Sequence, residues 1–166
     1  MIGLTRDNIA IIISYINKLS KAKVLNVKNG EIEIYDDDEV TDVSYMFNDV
    51  KKFLKETVER LTDLLRHYND EDYDRKHYAR KHNKDDYDEE HKESLFKDTT
   101  RRLDMAISIL ETVYDDDVIE EGHFECQLYL LKDRLIWLRL VLDMSEEEIE
   151  DELSEFDILE IETTRR

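Results

Sequence analysis

The chain has 166 residues and a mass of 20.0 kDa, with 43 acids against 24 basic residues and a formal charge of -19. That length suits a single domain, 1–166, with room for a real core. So acidic a surface repels nucleic acid and anionic membranes, and neither is expected as a direct ligand. Proline is absent and glycine occurs three times, against roughly eight and about twelve at average usage, so sharp turns are few. Low hydropathy with high charge can mean disorder. Here the apolar residues recur with helical periodicity, which argues for a packed fold.

Thr5 can cap a first helix, with Asp7 near its positive end. Ile9, Ile12, Ile13, Ile16 and Leu19 then repeat at spacings of 3 and 4 and predict one buried face through about Lys21. Next comes KVLNVKNGEIEIY, where Asn29-Gly30 is a strong hairpin signal. A two-residue turn there would pair Val27 with Ile32 and Leu25 with Ile34, predicting a β-hairpin over about residues 23–35. Two strands alone are marginal, and the tail from Ile158 to Thr164 is the candidate third strand. After an acidic link at Asp36 to Glu39, Thr41 is placed to cap a long helix to about Tyr68. Its core face is predicted at Val43, Phe47, Val50, Leu54, Val58, Leu61, Leu65 and Tyr68.

From Asn69 to Glu93 no Leu, Ile, Val, Met or Phe occurs, so this stretch is read as an exposed polar helical tip or a mobile connection. The apolar stripe resumes with Phe96, Thr99, Leu103, Ala106, Leu110 and Val113. Asp115 to Gly122 turns the chain into His123–Met144, the most apolar stretch. It is too short and too broken by charge to span a membrane, and its nearly all-round apolar surface predicts a central, covered helix. Ser145 and Glu148 form a capping box for a short last helix to about Phe156. The fold predicted is mainly α, a four- to five-helix bundle with a small hairpin between helices 1 and 2.

The N-terminal run MIGLTRDNIAIIISYINK has five consecutive apolar residues, an acid at Asp7 and no small-residue cleavage pattern. It is not read as a signal peptide, and a cytoplasmic location is expected. The single Cys126 can form no internal disulfide and, in so apolar a stretch, is expected to be a small buried hydrophobe. Glu125 beside it and the absence of a neighbouring cation disfavour a reactive thiolate.

Charge is partitioned along the chain. Residues 31–49, 111–125 and 143–162 hold 26 of the 43 acids and no Lys or Arg, so the remainder carries 17 acids against all 24 basic residues. Carboxylates fixed on rigid helices can imitate phosphates and capture the attraction that a cationic groove offers its own ligand. The surfaces assigned to partner binding are the acidic turn, with Asp115, Asp116, Asp117, Glu120 and Glu121, and the last helix, with Glu146, Glu147, Glu148, Asp151 and Glu155.

Other constellations carry less chemistry. Asp74/His77 and Asp88/His91 repeat as Asp-x-x-His units, a carboxylate and an imidazole on one helical face. No apolar shell surrounds them, and neither a metal nor any other cofactor is expected. Arg75, Lys76, Arg80, Lys81 and Lys84 form a basic patch interleaved with Tyr78, His77 and His82, flanked by acidic runs that would neutralise it. Gly3, Gly30 and Gly122 stand alone, so there is no phosphate loop. Arg134 and Arg139, inside the most apolar helix, are expected to pair with acids of another helix or to lie where this helix reaches the surface, the alternative being a site for a ligand anion.

Arg60/His67 and Arg75/His82 share an Arg-x6-His spacing that resembles the motif of the all-helical HEPN ribonucleases. The resemblance implies an Arg and a His from two subunits meeting at a helix–helix interface to cleave RNA, and hence a homodimer. No family resemblance extends over the chain as a whole. The sequence therefore points first to a non-catalytic acidic protein, with no catalytic residues, that binds a basic protein surface, such as that of a nucleic-acid-handling partner, as an inhibitor or nucleic-acid mimic. The alternatives are a HEPN-like dimeric ribonuclease and a structural or assembly subunit whose hairpin edge extends a neighbour's sheet.

Overall fold

The computed structural model describes the backbone of residues 3–36, 38–77, 84–115, 122–156, 158 and 160–164, with side chains in those ranges other than 36, 69–77, 84–88 and 114–115. The described residues include five α-helices and one two-stranded hairpin. Helix α1 spans Arg6–Leu19, capped by Thr5, whose Oγ1 accepts the Asn8 amide at 3.2 Å. Its stripe of Ile9, Ile12, Ile16 and Leu19 is buried, as the periodicity predicts.

The hairpin lies between α1 and α2, but its strands fall later in the chain than the Asn-Gly signal implied. β1 (Glu33–Asp36) pairs antiparallel with β2 (Glu39–Asp42), placing Ile34 opposite Thr41 and Tyr35 opposite Val40. Asn29-Gly30 does turn the chain, with Gly30 at φ +78° and the Glu31 amide donating to the Lys28 carbonyl at 3.1 Å. The predicted upstream partner is occupied elsewhere. Residues Lys23–Leu25 wind into a 3₁₀ turn that buries Leu25, and the Lys23 amide donates to Glu162 O at 2.8 Å.

The tail is thus a partner of residues 21–23, through an Ala22–Thr163 bridge, and not a third strand of the hairpin. Asp42 fixes the hairpin's actual register. One carboxylate oxygen accepts the Gly30 amide at 2.7 Å and the other the Ser44 amide at 2.9 Å, so Asp42, and not Thr41, caps the next helix. The hydrogen bond from the Ser44 amide, helped by that from Gly30, outweighs desolvation and holds the Asp42 carboxyl below its ordinary range.

Gly30→Ala is expected to cost about 1 kcal/mol in urea unfolding, because a Cβ finds open space there but the left-handed backbone remains unfavourable. A substitution that is neutral would contradict the turn geometry.

Helix α2 (Val43–His77) is the hub, packed against both α1 and α3 (Lys84–Asp115). Val43, Phe47, Val50, Leu54, Leu61 and Leu64 are fully buried. Two threonines complete the facing stripes, Thr57 on α2 and Thr99 on α3. Each is wholly buried and returns its hydroxyl to the preceding turn, at 2.7 Å to Phe53 O and 2.7 Å to Leu95 O. Their small size allows the two long helices to approach closely without leaving a polar group unsatisfied.

Helix α4 (Gly122–Leu142) is one-sided and not central. Leu128, Leu131, Leu135, Leu138 and Val141 face the core, while Tyr129 and Leu140 are 46% and 56% exposed and Ile136 and Trp137 half-buried. The same phase turns Cys126 outward, so the thiol is exposed and not buried as expected. Helix α5 (Glu146–Glu155) then packs against α1 and α4. Among the described residues, no helix is long and apolar enough to cross a membrane.

Candidate functional site

Ser145 starts α5, its Oγ accepting the Glu148 amide at 3.4 Å, and Glu146, Glu147 and Glu148 fill the first turn, where the helix dipole favours acids. Ile149 and Leu153 are buried and anchor the helix. The other face is open to solvent: Glu146, Glu147, Glu148, Glu150, Asp151 and Glu155 are all exposed, and α5 contains no cation. Glu147, Asp151 and Glu155 stand four residues apart and form a row, each about 6 Å from the next along the axis.

Five of the residues assigned from sequence therefore share one rigid surface. The acidic turn cannot be compared in this way. Asp115 ends α3 with its side chain outside the described residues, and Asp116, Asp117, Glu120 and Glu121 lie outside them altogether.

Beside this acidic face lies a feature the sequence reading missed. Tyr15, Phe156 and Trp137 form a three-ring stack, with centroids 4.4 Å apart for Tyr15–Phe156 and 4.7 Å for Phe156–Trp137, the latter pair nearly parallel at 2°. The Trp137 indole Nε1 donates to Glu152 Oε2 at 2.9 Å, which fixes the ring, and Tyr15 Oη donates to Leu153 O at 3.4 Å. The stack borders a groove of about 410 Å³ between α4 and α5. Ile136, Leu140, Trp137 and Phe156 supply the apolar part of its lining, and Asp133, Glu152 and Glu155 the acidic part. Among the described residues Arg134 is the one cation lining it, and its Nη1 donates to Asp133 at 2.9 Å.

One signal in the sequence could have found the groove. Glu152 falls three residues after Ile149 and four before Phe156, a carboxylate on the core-facing side of α5.

A second group of charges joins α2 to α3. Arg60 Nε donates to Asp98 Oδ2 at 2.7 Å, Arg102 Nε to Glu56 Oε2 at 3.0 Å, and Arg102 also pairs with Asp98. Partial burial alone would raise the Asp98 carboxyl. The hydrogen bond from Arg60 and the charges of Arg102 and Arg60 outweigh it and hold the group below its usual value.

Because the folded-state value is the lower one, this stabilisation is complete above the unfolded carboxyl's pKa of about 3.9 and is lost as pH falls through the folded value. Asp98→Asn should therefore lower the melting temperature at pH 7, with the deficit shrinking towards pH 2. A deficit that is constant with pH would contradict the pairing.

The network also bears on the Arg-x6-His spacing, since the Arg60 guanidinium is engaged with Asp98, and the His67 ring lies edge-on to His91 with centroids 4.6 Å apart. Arg75 and His82 lie outside the described side chains, as do Asp74, His77 and Asp88. Among the described residues, no three His, Cys, Asp or Glu side chains converge as metal ligands would. Arg139 pairs with α3 as expected, its Nε 2.9 Å from Asp104 Oδ1, and also with Asp143 at 2.7 Å.

A larger cavity of about 470 Å³ lies where the tail crosses the start of α4. Two of its polar side chains are engaged with the tail: Gln127 bonds Glu160 O at 3.1 Å and the Glu162 amide at 2.9 Å, and His123 Nε2 is 3.2 Å from Glu162 Oε2. Comparison with family models, with curated proteins and with solved structures finds no match. The functional reading therefore rests on the site itself.

Proposed function

We propose that this is a non-catalytic acidic binding protein that occupies a basic site on a nucleic-acid-handling partner, as an inhibitor or nucleic-acid mimic. The observation that carries this reading is α5, a capped and core-anchored helix whose whole outer face is acidic and which has no cation of its own. A helix formed before docking spares the cost of ordering its backbone, leaving only the side-chain freedom of the carboxylates to be lost. Their field steers a cationic partner and makes the association salt-dependent.

Capture from the soluble extract of the protein's own host at low salt tests the proposal. One basic protein should be retained, released by a salt gradient, and displaced by DNA or RNA. Retention that resists salt, or that nucleic acid does not displace, would contradict it.

The hairpin favours a second reading as an assembly subunit. Tyr35 and Val40, paired across β1 and β2, are 63% and 54% exposed, and the sheet among the described residues has only two strands. Association through such an edge would be insensitive to salt, which separates the two readings.

A further inference from the structure

We propose that the α4–α5 groove seats one amphipathic, lysine- or arginine-rich helix of the partner, apolar side down. The inference rests on the reading above for the partner's basic character and adds how that partner is held. The apolar and the acidic parts of the lining make different demands. Ile136 and Leu140, with Leu140 more than half exposed, offer apolar area that a purely cationic segment would leave uncovered. Glu155, and the carboxylate oxygens of Glu152 and Asp133 that Trp137 and Arg134 do not engage, would be stripped of water against a purely apolar segment. An occupant with apolar side chains on one stripe and cations along its flanks meets both demands.

The shape also suits a helix. The groove runs between two helices, and Ile136 and Leu140 stand one turn apart on α4, a ridge of the kind that packs into the spaces on a facing helix. A second copy of this chain is a poor occupant, because an isologous contact would set the acidic α5 faces against one another. Charge complementarity thus selects a basic partner.

Trp137 is the only tryptophan in the chain and lines this groove, so its fluorescence reports on the groove alone. The probes are a helical Leu/Lys peptide with lysines flanking a leucine stripe, and a lysine homopeptide of equal charge. The amphipathic peptide should shift Trp137 emission to the blue and bind at least tenfold more tightly than the homopeptide. Leu140→Ser should abolish that tenfold advantage while leaving homopeptide binding unchanged.

Since Leu140 is exposed, the variant is expected to fold, and a matching circular dichroism spectrum checks this. Equal affinity for the two peptides without an emission shift would overturn the groove and leave the acidic surface standing. An advantage that survives Leu140→Ser would also overturn it. Failure of both peptides to bind would overturn the groove and the acidic reading together.

Discussion

Phe47→Ala will cost roughly 3–5 kcal/mol of unfolding free energy, the range for truncating a fully buried aromatic side chain. Phe47 is completely buried on α2 and stacks on Phe124 of α4 with centroids 6.1 Å apart, so its loss opens a cavity where the hub helix meets the start of α4. The matched control is Leu140→Ala. A leucine in the most apolar helix would ordinarily be expected to cost about 2–5 kcal/mol on truncation, but at an exposed position the loss should stay within about 0.5 kcal/mol. Urea unfolding of the two variants therefore separates an α4 buried on one side from an α4 buried all round. A large loss at Leu140 with a small one at Phe47 would reverse the assignment.

Reversing Glu147, Asp151 and Glu155 to Lys will weaken binding of a lysine homopeptide at low salt on the order of 100-fold. Each reversal removes an attraction and adds a repulsion, and a few such changes at about 1 kcal/mol each reach that size. All three positions are exposed and make no contact that holds α5 in place, which depends on Ile149 and Leu153. Lysine at Glu155 complements the negative end of the helix and offsets the loss of an acid at its positive end at Glu147, so helicity should persist. Calorimetric titration at two salt concentrations checks both the loss and its screening. An affinity that stays within twofold of wild type would remove α5 from the interface.

Sequence made the helices legible because each has a cap or an apolar period. Thr5 caps α1, Ser145 caps α5, and Ile9 to Leu19 and Val43 to Leu64 supply two of the buried stripes. The hairpin's existence was legible and its register was not. Asn29-Gly30 marks a turn by local chemistry, but the strand ladder is set by Asp42, which gathers amides from both Gly30 and Ser44 across a distance no local pattern reports. The apolar surface of α4 was misread because hydrophobicity all round a helix usually implies burial all round. Here part of its outer side lines a groove. The exposed acids of α5 followed from the charge pattern, whereas the stack of Tyr15, Phe156 and Trp137 joins three elements that only the tertiary fold brings together.

The most direct test of the acidic-surface account is paired capture. Wild type and the Glu147→Lys, Asp151→Lys, Glu155→Lys variant are immobilised at equal density, and host extract is passed over both at low salt. The account predicts that one basic, nucleic-acid-binding protein is held by wild type, eluted by salt, and absent from the variant. Equal retention of that protein on both surfaces would contradict it.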